Sequence, residues 1–143
     1  EAEQQKEALE RLRSVRFGQS GYFGVIDRSG RLLLTPASPA LEGYRQGDLL
    51  GGYRTGIAKL LQAAKDGGGF VRYEWPDLAS GTSMQKTALV RTVEPWGWTL
   101  IATVFDDELQ SVLNEEARQR EEGGRQRWSD LIVATLVALA LGA

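Results

Sequence analysis

Apolar positions along the first 16 residues recur at helical spacing: Ala2, Ala8, Leu9, Leu12 and Val15 stand among charges, with no proline or glycine. This pattern predicts an amphipathic helix over 1–16, which Phe17-Gly18-Gln19-Ser20-Gly21 breaks. Tyr22-Phe23-Gly24-Val25-Ile26 reads as a strand, Asp27-Arg28-Ser29-Gly30 has the composition of a tight hairpin turn, and a second strand follows over 31–34. Residues 35–50 carry Pro36, Pro39 and several glycines, so they form a long loop that must pack over something to be ordered. Helical spacing returns over 53–65, with Ile57, Leu60, Leu61 and Ala64 on one face, and Asp66-Gly67-Gly68-Gly69 ends it. Residues 70–75, 84–93 and 98–104 are β-branched or aromatic enough for three further strands.

From Phe105 the pattern turns helical again. Asp106, Asp107 and Glu108 suit the positive end of a helix dipole, and Leu109, Val112 and Leu113 form a stripe, which predicts a helix over about 105–122 with a break or hinge at Gly123-Gly124. The run 131–143 is uncharged and apolar. At ~1.5 Å per residue it covers about 20 Å of a roughly 30 Å hydrocarbon core, so 128–143 reads as the start of a truncated membrane helix. Trp128, with Arg125 and Arg127 before it, suits a membrane interface, whereas a buried C-terminal core helix is the alternative. Glu1 is no initiator methionine, so the sequence is expected to begin within a longer protein, and a first membrane helix fits just upstream. The order of elements gives one α+β domain over 1–127, a five-stranded antiparallel sheet with helices.

Composition narrows the function. The 143 residues are 42% hydrophobic with a net charge of −2, enough for a single core. Basic residues are interleaved with acids, which leaves no stripe for nucleic acid. With no histidine there is no Ser-His-Asp triad, imidazole ligand or phospho-accepting histidine, and with no cysteine there is no disulfide or thiolate site. Carboxylates such as Asp27, Glu74, Asp77, Asp106 and Asp107 leave paired-acid chemistry formally open, but the reading is non-enzymatic. Gly51-Gly52 and Gly67-Gly68-Gly69 lack the spacing of a phosphate-binding loop and read as turns.

Gly21-Tyr22-Phe23, 27–30, Pro36, 39–43, Gly69-Phe70-Val71, Tyr73-Glu74-Trp75-Pro76, Lys86 and Pro95-Trp96-Gly97-Trp98 together resemble the single Cache sensor domains of bacterial transmembrane receptors. The resemblance spans roughly 13–109. It implies a PAS-like, extracytoplasmic domain of the inner membrane, set between two membrane helices of a chemoreceptor, sensor histidine kinase or diguanylate cyclase. Such domains bind small organic acids without a cofactor on one face of the sheet, with the long N-terminal helix on the other. A homodimer that passes a helix shift across the membrane is the expected assembly.

Strand alternation places Tyr73 and Trp75 on one side of their strand, a hydroxyl beside an indole, suited to a small polar-headed ligand or simply to the core. Lys86 lies within a predicted strand among Met84, Gln85, Thr87, Ala88 and Leu89, where a charge needs a reason. A carboxylate ligand would supply one, and snorkelling to solvent is the alternative. By resemblance Lys86 is the foremost ligand-binding candidate, joined by Tyr73, Trp75, Thr35 and Tyr22. The chain departs from the family pattern at Thr35, where histidine is frequent, at Leu89, where tyrosine is common, and at Gly24, where a bulky aromatic is frequent. These departures predict a roomier pocket or a longer, more apolar ligand. The rival reading is a ligand-free dimerising or partner-binding scaffold, which pairing of Lys86 with Glu74 or Asp77 would favour. Trp96 and Trp98 read as core, Asp27 as a turn former, and Arg45 and Arg54 as solvated.

Overall fold

The computed structural model describes residues 2–17 and 21–105. The amphipathic start forms helix α1, Ala2–Ser14, which buries Ala8 and Leu12. Strands β1 (Tyr22–Ile26) and β2 (Leu32–Leu34) form the hairpin, and Asp27 makes its turn by accepting the backbone N–H groups of Ser29 and Arg31 on Oδ1 at 2.8 and 3.0 Å. Helix α2 spans Gly51–Lys65, followed by β3 (Gly69–Asp77), β4 (Thr82–Val93) and β5 (Trp98–Phe105). All pairings are antiparallel and the order is β2-β1-β5-β4-β3, so the last strand lies at the centre between the hairpin and the β3–β4 pair.

Register decides what each face carries, because directly opposed residues share a face. Tyr73 pairs with Lys86, Ala88 with Thr103 and Thr103 with Tyr22, so all five side chains lie on one side. On that side Ile57 and Leu60 of α2 pack with Ile26, Trp75, Val90 and Ile101. The opposite side buries Phe23, Val25, Leu34, Leu89, Leu100 and Trp98 with Ala8 and Leu12 of α1. Each large aliphatic or aromatic side chain so buried stabilises the fold by about 1.5–3 kcal/mol before the entropy of ordering.

The loop 35–50 contains two short 3₁₀ turns, Pro39–Leu41 and Gln46–Asp48. It folds back along β2: Leu32 donates to the Tyr44 carbonyl at 2.9 Å and Gly43 donates to the Leu32 carbonyl at 2.7 Å, which occupies that sheet edge. Helix α2 begins at Gly51, earlier than its apolar spacing indicates, because glycine lets it sit directly on β3. A Cβ at Gly52 would lie 3.0 Å from Pro76 Cγ, and one at Gly56 would lie 2.9 Å from the Glu74 carbonyl and 3.1 Å from Trp75 Cε3.

Strands β3 and β4 run slightly past their predicted ends, since pairing continues to Asp77 opposite Thr82. Phe105 ends β5 by pairing with Lys86 instead of opening a helix. The rest of the helix expected over 105–122, the Gly123-Gly124 hinge and the apolar segment 128–143 lie outside the described residues. No described helix is long and apolar enough to cross a membrane.

The contact at Gly56 has a measurable cost if filled. Overpacking typically costs 1–3 kcal/mol, and a β-branched residue gains little in helix propensity to offset it. We expect Gly56→Val to lower unfolding stability by ~2 kcal/mol in urea denaturation. Gly47→Ala, where a Cβ meets nothing within 4 Å, should stay within about 0.5 kcal/mol of the parent.

Candidate functional site

Between the sheet and α2 lies a cavity of about 40 Å³, closed on one side by Thr35, Pro36, Ala37 and Ser38. Its floor is Gly24, Ile26 and Ile101, its roof Ile57 and Leu60, and its polar groups come from Tyr22, Tyr73, Thr103, Thr35 and Ser38. The side chains are well anchored. Tyr73 Oη lies 3.0 Å from Thr103 Oγ1, Thr35 Oγ1 donates to the Ser38 carbonyl at 2.9 Å, and Trp75 Nε1 donates to Ser38 Oγ at 3.2 Å. The Trp75 ring is held edge-on by Tyr53 and Tyr73, with centroids 5.2 and 6.2 Å away.

Lys86 is only 2% exposed. Its ammonium donates to Tyr22 Oη at 2.6 Å and stands 5.2 Å from the Tyr22 ring centroid and 5.7 Å from that of Trp75. Glu74 accepts from Gln85 Nε2 at 3.0 Å, and Asp77 accepts from the Ala79 N–H and the Ser80 hydroxyl. Burial pushes the Lys86 ammonium down to about 8, with the Asp77 charge opposing the shift. Burial likewise raises both phenols, Tyr73 to about 12 and Tyr22 well above its ordinary value, so both are neutral donors at physiological pH.

Of the residues singled out in the sequence, Tyr22, Thr35, Tyr73 and Trp75 line the cavity, and Lys86 reaches it through the Tyr22 hydroxyl. That hydroxyl accepts from the ammonium and also hydrogen-bonds Tyr73, so Lys86, Tyr22 and Tyr73 form one connected polar row at the cavity. The volume does not meet the expectation of a roomier pocket. The place left open at Gly24 is taken up by the Leu34 carbonyl and Ile101, which a Cβ there would meet at 3.3 and 3.8 Å. Thr103 and Ser38 were not singled out: Thr103 reads in sequence as an ordinary β-branched strand residue, and Ser38 as one polar position in a proline-rich loop. Trp98 is buried on the α1 side of the sheet, away from the cavity, while Arg45 and Arg54 are exposed, in line with their plain readings.

Comparison with known proteins bears on the family and the fold. The family described as Single Cache domain 2 matches residues 1–119. The methyl-accepting chemotaxis protein McpP of Pseudomonas putida is 30% identical over 120 residues, 80% of this chain and 21% of that protein. The sensor histidine kinase MctS of Rhizobium johnstonii is 32% identical over 110 residues, 76% of this chain and 23% of that protein. This chain therefore spans about a fifth of the length of either relative. A solved structure described as the basis for carboxylic acid recognition by a Cache chemosensory domain superposes with a TM-score of 0.58 at 28% identity, covering 72% of this chain and 71% of that one.

The buried ammonium makes a stability prediction with a definite sign. Lowering its pKa from 10.5 to about 8 corresponds to a cost of ~3 kcal/mol for keeping it charged in the fold. Below pH 8 the folded and unfolded chains both hold the proton and the full cost applies. Between about pH 8 and 10.5 the unfolded chain binds more protons, so stability rises with pH. We expect Lys86→Met to be more stable than the parent at pH 7, by up to ~3 kcal/mol, and the gap to shrink by pH 9.5 in urea unfolding. A variant less stable at both pH values would mark Lys86 as an internal structural cation.

Proposed function

The chain belongs to the Single Cache domain 2 family, and on that premise we propose that it is the sensing part of a bacterial transmembrane receptor that detects a small carboxylate in the periplasm. The observation that carries the ligand class is the buried Lys86 ammonium behind the Tyr22 hydroxyl, at the margin of a cavity otherwise walled mainly by aliphatic and aromatic side chains. Burying a cation costs stability, and a bound anion recovers part of that cost. The carboxylate would accept from Tyr22 and Tyr73, with Thr35 and Thr103 within the same lining and the Lys86 charge acting at short range in a water-poor site. A volume of about 40 Å³ is small, which favours a short-chain carboxylate over a longer one.

In this reading residues 1–127 form the sensor, 105–122 its signalling helix and 128–143 the start of a membrane helix, in a homodimer. Occupancy shifts β5 and so the segment that follows it, through the difference in affinity between two states. One relative is a methyl-accepting chemotaxis protein and the other a sensor histidine kinase, and either output suits the same sensor.

The test is thermal unfolding of the chain with acetate, propionate, butyrate, succinate, alanine and ethylamine. A ligand at a hundred times its Kd adds about 2.7 kcal/mol, several degrees for a domain of this size. We expect short monocarboxylates to raise Tm in the parent and not in Lys86→Met, with Tyr22→Phe intermediate. Binding should also restore the ammonium, so calorimetry near pH 8 should show proton uptake, read as a heat that varies with buffer ionisation enthalpy. No shift with any acid would overturn the carboxylate assignment.

A further inference from the structure

The loop wall of the cavity is tied to the far side of the sheet. Glu42 accepts the Thr35 backbone N–H on Oε2 at 2.9 Å, and Arg13 grips the same carboxylate with Nη1 on Oε2 at 2.9 Å and Nη2 on Oε1 at 2.7 Å. Arg13 belongs to α1, which packs on the face opposite the cavity, so the connection passes round the β2 edge. On the cavity side it continues through Thr35 Oγ1 to the Ser38 carbonyl, and from Ser38 Oγ to Trp75 Nε1. Trp75 in turn stands beside the Lys86 ammonium.

This differs from an ordinary surface ion pair in two respects. The guanidinium engages both carboxylate oxygens, a geometry that tolerates little displacement. The carboxylate also serves a backbone donor of the cavity wall, so moving α1 must either carry Thr35 with it or break these bonds. Glu42 is the less exposed partner, at 20% against 37% for Arg13, and the Arg13 hydrogen bonds hold its carboxyl below the usual range.

We propose that Arg13 and Glu42 are positioning residues for the carboxylate site: they set its affinity from behind the sheet, so that occupancy and the docked position of α1 are linked in both directions. The inference rests on the carboxylate reading above, and reciprocity follows from linkage between two sites on one molecule. The N-terminal helix is then a second reporter of occupancy beside the chain that follows β5.

The test is titration of the chain, residues 1–143, with propionate, using Arg13→Ala, Glu42→Gln, the double variant, Arg13→Lys, and Lys6→Ala as an exposed-charge control on the same helix. We expect each of the first two to weaken binding about five-fold or more, with the double no weaker than the worse single because the pair acts as a unit. Arg13→Lys recovers part of the loss, and Lys6→Ala leaves affinity unchanged. In hydrogen exchange, saturating propionate slows residues 9–15 in the parent and not in Arg13→Ala. Affinities within two-fold of the parent in folded Arg13→Ala and Glu42→Gln overturn the proposal, as does exchange in α1 that ignores propionate. If the parent binds no propionate, the carboxylate reading falls and the unliganded protein decides the clamp. Faster exchange at the Thr35 amide in Arg13→Ala supports positioning from α1, and unchanged exchange overturns it.

Discussion

A charge enclosed by aromatic rings is the constraint around which this domain is arranged. The Lys86 ammonium gives up most of its hydration and receives a phenol oxygen and two ring faces in return. Those partners arrive from different parts of the chain: Tyr22 opens the first strand of the sheet and Trp75 lies near the end of the third. They meet only because the final strand inserts between the hairpin and the β3–β4 pair. The sheet order is thus the means by which residues 22, 75 and 86 come to share one small volume. An ordinary core would place a leucine or methionine there at lower cost.

The two faces of the sheet do different work. The α1 side is mainly apolar, with Phe23, Leu34, Leu89 and Trp98 packed beneath Ala8 and Leu12, and it supplies cohesion. The α2 side includes five hydroxyls and an ammonium among its aliphatic groups, each drawn into a hydrogen bond within the fold. No described buried side-chain nitrogen or oxygen lacks a partner. The site is accordingly pre-organised: its donors are held in place before any ligand arrives, which lowers the ordering entropy that binding would otherwise incur.

Much of this was readable from residue order. Alternation placed Tyr73 and Trp75 on a common face, and a lysine inside an uncharged strand stood out as needing a reason, though the sequence left snorkelling to solvent open until the fold showed it buried. Element ends were less legible, because pairing rather than composition decides where a strand stops: Pro76 and Asp77 look like turn residues, yet each has a partner across the hairpin. Gly51 and Gly52 look like a turn for a similar reason, since helix propensity ignores the strand against which the helix must lie. The Arg13–Glu42 pair had no signature at all. Its members stand 29 positions apart, one on a helix face crowded with charges and one in a loop, and only the path of the loop round β2 brings them together.

The direct seating of α2 on β3 has an implication for how domains of this shape can vary. With no side chain at Gly56 between the helix and the Trp75 strand, nothing compressible separates them, and helix, strand and indole behave as one stiff body. Diversity in what the cavity accepts is then easiest to generate on the opposite wall, in the short loop 35–38, where substitutions alter shape without unseating a helix. The candidate site is thus adjustable on one side and rigid on the other.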